Sequence, residues 1–240
     1  CSTAKSTFHS ISQTNLKKEG IQEMEDVGRR IILAVPYYGY ARQDKRFSAG
    51  EVVAAGVIAS HLSNACDGIV ILDIHEPKVL ENHDHPIRCV TAVPEIANWL
   101  REEVNPDFIL SPDKGAVVRA RNVAELIDVP YSYLEKKRID AHTIEHTPKD
   151  LDVSGKVVAI VDDMISTGGT ICRASDALRR QGAVEVHAAC THGLFTSGAL
   201  TKLADHVDGV HSSDSLANPR AVISGAPALA RGVQDLIGIL

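Results

Sequence analysis

The chain has 240 residues, a net charge of −6, 44% hydrophobic and 4% aromatic residues. That is enough apolar material for one large or two modest globular domains. No long basic block is present and aromatics are scarce, which argues against nucleic acid as a partner. No apolar run is long enough to span a bilayer, and the five cysteines lack CxxC spacing, the pattern of reduced thiols in a cytoplasmic protein.

In chain order, CSTAKS reads as the tail of a strand, and residues 10–27 as a polar helix. Residues 31–35 form a buried strand, followed by PYYGYARQDKRFSAGE. This turn makes a poor core segment and a good nucleotide site: Arg42 can stack on a base or clamp a phosphate, and Gln43 can hydrogen-bond. Its composition also fits a solvated basic turn.

A helix is expected over 51–63 and a strand over 68–73. The strand leads to His75, where open α/β sheets place ligands. His83, Asp84 and His85 read as a polar loop. A helix over 95–104 and a strand over 108–110 lead to Asp113, Lys114, Gly115 and Ala116, a strand-end loop that opens another helix.

A strand over 129–134 precedes Glu135, Lys136, Lys137 and Arg138 and a long polar run through residue 152. Such a run is functional, as a mobile arm carrying Lys and Arg over phosphates, or a solvated hairpin. Strands over 184–190, 207–210 and 221–224 and helices over 199–203 and 227–240 complete the pattern, with a turn from residue 191. Strands alternating with helices mean an α/β fold with mostly parallel sheets.

The centre of the sequence is VVAIVDDMISTGGT, residues 157–170. A five-residue apolar strand, two acids, a small-residue loop and an amphipathic helix have the arrangement of an anion site. Backbone N–H groups and a helix N-terminus converge on a phosphate, and Ser166, Thr167 and Thr170 add hydroxyls. Asp162 and Asp163 would repel a bare phosphate, so they suit hydroxyl groups or a metal beside it. A sugar phosphate supplies both parts. A Gly-rich turn can also be a plain connection; the acids before it and the hydroxyls after it weigh against that.

This segment resembles the phosphoribosyl-diphosphate (PRPP) loop of the type I phosphoribosyltransferase fold. With YARQDK (40–45), LDIHE (72–76), SPDKGAVVRAR (111–121), and the weaker EKKR (135–138) and ACTHGLF (189–195), it is similar, in order and spacing, to the ribose-phosphate diphosphokinase family, with an archaeal-like DKGA and LEKKR.

The resemblance implies two phosphoribosyltransferase-type domains: an ATP-binding one over 1–88 and one over 89–240 that binds ribose 5-phosphate. It implies transfer of a diphosphoryl group from ATP to ribose 5-phosphate, giving PRPP and AMP. Arg42, Gln43 and Asp44 would then sit at ATP, and His75 and Asp113 at Mg²⁺. Asp162 and Asp163 would hold the ribose hydroxyls, directly or through a second Mg²⁺. Ser166, Thr167, Gly168, Gly169 and Thr170 would hold the 5-phosphate, and Lys136 and Arg138 would stabilise the transition state.

A homo-oligomer with ATP sites at subunit interfaces is implied as well. The chain starts with Cys, and CSTAKS aligns after the acidic hairpin of family members, so the first domain is expected to be truncated. A non-catalytic regulatory subunit and a PRPP-consuming phosphoribosyltransferase remain as alternatives.

Overall fold

The computed structural model describes residues 30–46, 48, 50–80, 86–138, 144–148 and 151–240. The expected elements over 1–6 and 10–27, and the loop of His83, Asp84 and His85, lie outside them. The chain forms two compact units. One contains the described residues up to Thr91 together with Ala226–Leu240, and the other is Ala92–Gly225.

In the first unit, β1 (Ile32–Val35), β2 (Gly68–Leu72) and β3 (Ile87–Val90) form a parallel sheet in that order. Parallel neighbours need crossovers. Helix α1 (Ala54–Ser63) joins the first pair, and a 3₁₀ turn (Pro77–Leu80) lies between the second. The central strand, GIVIL, is buried at every position, as a strand covered on both faces must be. Ile69 and Ile71 pack with Ala55, Ala59 and Leu62 of α1.

The opposite face, carrying Val70, is covered by α6 (Ala226–Ile237), which also packs on β1 and β3. The terminal helix was expected in the second domain, because it follows that domain in sequence. It belongs to the first unit, since the exposed side of a three-stranded apolar sheet needs a cover.

The second unit holds a seven-stranded sheet. Its strands are β4 (Phe108–Ser111), β5 (Tyr131–Arg138), β6 (Ile144–Pro148), β7 (Val157–Ile165), β8 (Glu185–Gly193), β9 (Gly209–Ser213) and β10 (Ala221–Ile223). The order is β10-β9-β8-β7-β4-β5-β6, with only β6 antiparallel to its neighbour. Helix α2 (Val93–Glu103) precedes β4, and helices α3 (Val117–Ile127), α4 (Gly169–Arg180) and α5 (Ala199–Ala204) follow β4, β7 and β8. From β4 the chain moves to β5 on one side; from β7 it moves to β8 on the other. The two central strands therefore form the switch point at which open α/β sheets leave a crevice.

Several strands outrun their expected ends, β4 and β9 among them. β7 continues through Asp162 and Asp163 to Ile165, paired with β8 up to Gly193. The expected strand ended at residue 161 because two acids interrupt the apolar run; ladder bonds to β8 carry the backbone past them. Residues 191–193 accordingly lie in β8, not in a turn. β5 pairs with β4 only over Tyr131, Ser132 and Tyr133. From Leu134 to Arg138 it pairs with β6 alone, so the polar run begins as a two-stranded arm. Helix α1, conversely, starts three residues later than expected, after an uncapped Val53.

Gly232, inside α6, has no room for a side chain. A Cβ there would lie 2.5 Å from Val70 Cγ1 and 2.6 Å from Val90 Cγ1. In a solvated helix Gly→Ala stabilises by about 1 kcal/mol. Here Gly232→Ala is expected to lower Tm instead, overpacking costing roughly 1–3 kcal/mol; thermal denaturation checks the sign.

Candidate functional site

The crevice between β4 and β7 gathers most of the chemistry expected of the second unit. At the end of β4, Ser111 Oγ donates to the Asp113 carbonyl at 2.6 Å. Asp113 Oδ1 accepts from the N–H groups of Gly115 (2.9 Å) and Ala116 (3.2 Å). These bonds close a tight loop and lead the chain into α3. Asp113 thus shapes its own loop, and it also acts electrostatically on Asp162.

Asp162 and Asp163 are half-buried within β7. Asp162 Oδ1 accepts from Asp163 N–H at 2.9 Å, and Asp163 Oδ1 from Met164 N–H at 2.7 Å. Each acid is held by the amide of the residue after it, which turns the pair towards the strand's C-terminal end. Burial, then the charges of Asp163 and Asp113, push the Asp162 carboxyl up from 3.8 to about 7. The neighbouring strand offers no relief: Asp162 lies opposite Cys190, a fully buried thiol that burial itself pushes up.

The loop that follows is anchored on its far side. Ile165 C=O accepts from the N–H groups of Leu194 (3.0 Å) and Phe195 (3.1 Å), and Ser166 C=O from that of Thr196 (3.0 Å). Ser166 Oγ and Thr196 Oγ1 are 3.0 Å apart. Gly168 has φ +73°, and a Cβ there would lie 2.9 Å from Leu203 Cγ. Both requirements select glycine. Helix α4 starts at Gly169 with no side-chain cap, so the amides of its first turn remain available to an anion. Its amphipathic sequence buries Ile171, Ala174 and Leu178.

Sequence reading placed Ser166, Thr167, Gly168, Gly169 and Thr170 in this loop; it did not single out Thr196. Thr196 lies 30 residues away in sequence, and only the strand pairing brings it close.

Lys136 and Arg138 lie on β5, opposite His146 and Ile144 of β6. Their side chains fall outside the described residues. In the first unit, Arg42 and Gln43 are exposed and Asp44 is half-buried, in the loop after β1. Tyr38 ties that loop down: its buried hydroxyl donates to the Ala55 carbonyl at 2.7 Å, and burial pushes its pKa up. The Gln43 carbonyl accepts from the Ala55 N–H at 3.3 Å. His75 is exposed just beyond β2, after Asp73 in a left-handed conformation (φ +41°).

Negative charge is in excess around Asp162. A hydrated divalent cation needs only one or two protein carboxylates when a substrate supplies the rest, and the carboxylates at the ends of β4 and β7 fit that demand. Among the described residues, no three His, Cys, Asp or Glu side chains converge as a full metal cage. Cys66, Cys89, Cys172 and Cys190 form no disulfide among the described residues. No helix of the described residues is long and apolar enough to cross a membrane.

Asp162 binds its proton more tightly in the fold than in the unfolded chain. Its ionisation therefore destabilises the ligand-free protein progressively from pH 3.8 to about 7, and fully above that. Asp162→Asn should raise Tm at pH 8 by about 2–4 °C, the response of a chain this size to ~1 kcal/mol. The gain should vanish near pH 3.5; calorimetric scans across pH test both limits.

Comparison with known proteins places the chain in a family. Residues 82–220 match the family described as "Phosphoribosyl transferase domain", and residues 23–66 match the "N-terminal domain of ribose phosphate pyrophosphokinase". The ribose-phosphate pyrophosphokinase of Methanopyrus kandleri is 41% identical over 217 residues, 89% of this chain and 75% of that protein. That of Pyrococcus furiosus is 38% identical over 201 residues, 84% of this chain and 72% of that protein. The crystal structure of phosphoribosylpyrophosphate synthetase from Mycobacterium smegmatis matches with a TM-score of 0.75 at 32% identity, covering 88% of this chain and 73% of that one. Both the N-terminal and the transferase portion are matched, and the chain belongs to the ribose-phosphate pyrophosphokinase family.

Proposed function

We propose that the protein makes PRPP by moving the β,γ-diphosphoryl group of ATP onto the C1 hydroxyl of ribose 5-phosphate. The observation that carries this reading is an uncapped helix N-terminus directly after a strand bearing two acids. One side suits a phosphate and the other suits sugar hydroxyls. The family membership and the match of the N-terminal portion favour a synthetase over an enzyme that consumes PRPP.

In the reaction the C1 hydroxyl oxygen attacks the β-phosphorus of ATP. The bond from that phosphorus to the α,β-bridging oxygen breaks, AMP leaves with the bridging oxygen, and the hydroxyl proton passes to solvent. No covalent intermediate on the protein is needed. The demand is alignment and stabilisation of charge on the transferring group.

In the second unit, Ser166, Thr167, Gly168, Gly169 and Thr170 hold the 5-phosphate through loop amides and hydroxyls. Asp162 and Asp163 accept from the ribose hydroxyls, which fixes the sugar so that C1 faces the donor. Their ionised forms are needed as acceptors, and the raised pKa of Asp162 means a bound cation nearby would favour that form.

Arg42, Gln43 and Asp44 bind ATP, Arg42 through its planar guanidinium on the base or phosphates. Mg²⁺ is the cofactor of this reading: His75 and Asp113 would hold it, and it would supply charge neutralisation at the ATP phosphates. Lys136 and Arg138, on the two-stranded arm, stabilise the charge that develops on the diphosphoryl group. The family pattern also implies a homo-oligomer in which ATP sites lie between subunits.

Phosphorus NMR on the chain with ATP, ribose 5-phosphate and Mg²⁺ is expected to show AMP appearing together with a diphosphate on ribose C1. Formation of ADP instead would overturn the reading. Lys136→Ala should lower kcat by about 10²–10³, the scale of one positioned cation in a transition state, while KM for ribose 5-phosphate stays close to that of the unaltered chain; steady-state kinetics separates the two constants.

A further inference from the structure

The phosphate loop has a second source of positive charge that its motif does not contain. Arg173 lies one turn into α4, and Lys202 lies on α5, 29 residues further along the chain and past the strap that anchors Ile165 and Ser166. Both side chains reach back to the same point. A Cβ placed on Gly169, the first residue of α4, would be 3.5 Å from Arg173 Nη1 and 3.6 Å from Lys202 Nζ. Thr167 Oγ1 would be 3.9 Å from it, so the point lies at the mouth of the loop.

Neither cation forms an ion pair among the described residues. Arg173 Nη2 makes a long contact with Thr170 Oγ1, 3.5 Å, within the loop itself. Two cations beside a helix N-terminus gather three positive sources at one point, an arrangement that a bound anion would relieve. Their field reaches the buried Cys172: burial pushes that thiol up and Asp176 adds to the rise, while Lys202 and Arg173 act against it.

Glycine at 169 also matters here. It keeps the space between the two cations clear of a side chain, where any other residue would put a methylene between the charges and the amides.

We propose that Lys202, assisted by Arg173, is a specificity-determining residue that selects a dianionic sugar phosphate at this loop. The inference rests on the ribose 5-phosphate reading above. The loop amides and the helix N-terminus favour an anion but add only a modest difference between one charge and two. The two cations distinguish them, because their attraction scales with ligand charge. Lys202 approaches from an element outside the loop.

Isothermal titration of ribose 5-phosphate into the whole chain at pH 8, with and without added salt, tests this. Lys202→Ala should weaken binding by about tenfold, the scale of one charge-assisted contact, and should flatten the salt dependence; Lys202→Arg should restore both. The Lys202 side chain is exposed, and circular dichroism of each variant should overlay that of the parent.

Affinity of Lys202→Ala within about twofold of the parent, a difference too small for a charged contact, overturns this inference and leaves the synthetase reading standing. Failure of the unaltered chain to bind ribose 5-phosphate would remove both.

Discussion

A carboxylate carried into the half-buried end of a central strand is costly, because it loses solvation that only a proton, a cation or a hydrogen-bond donor can offset. Asp162 is in that position, and the second unit is arranged around it. β8 pairs alongside and keeps the strand from turning away. Asp163 and Asp113 add charge of the same sign. A few residues later, the start of α4 supplies positive potential of the opposite kind. Acid and anion site are thus neighbours because one strand runs straight into one helix. The spacing between them is set by the short loop that starts at Ser166.

The switch point explains why this happens on β7. Strands on either side of the crevice send their helices in different directions, leaving both C-terminal ends open. The Asp113 loop and the Asp162 strand are therefore brought together by topology alone. The tight turn held by Asp113 Oδ1 and the left-handed Gly168 are local solutions to two chain reversals at the same rim. Phe195 and Ser197, both non-glycine residues with positive φ, show that the strap behind the loop is also held in a conformation residues of their type rarely adopt.

Much of this was legible in the amino-acid sequence, since its informative signals are local. Five apolar residues followed by acids, hydroxyls and glycines identify a strand, a loop and a helix start without reference to anything distant. Strand ends were harder: Asp162 and Asp163 break the apolar run, while ladder bonds to β8, which no local pattern records, carry β7 on to Ile165. Thr196 was missed for the same reason, because a threonine in a polar turn has no distinguishing neighbour until β7 and β8 are paired. The terminal helix was read correctly as a helix, but its destination depends on a face of β2 that lies more than 150 residues earlier.

That helix has a consequence for how the protein is made. The second unit is one uninterrupted stretch, Ala92–Gly225, whereas the first is closed only by Ala226–Leu240. On a ribosome, which delivers the chain from its N-terminus, β1, β2 and β3 emerge early and wait with one apolar face uncovered. The unit that starts first is thus completed last, after the other has every residue it needs. Holding that face out of harm during the interval is a task the sequence leaves to something other than its own C-terminus.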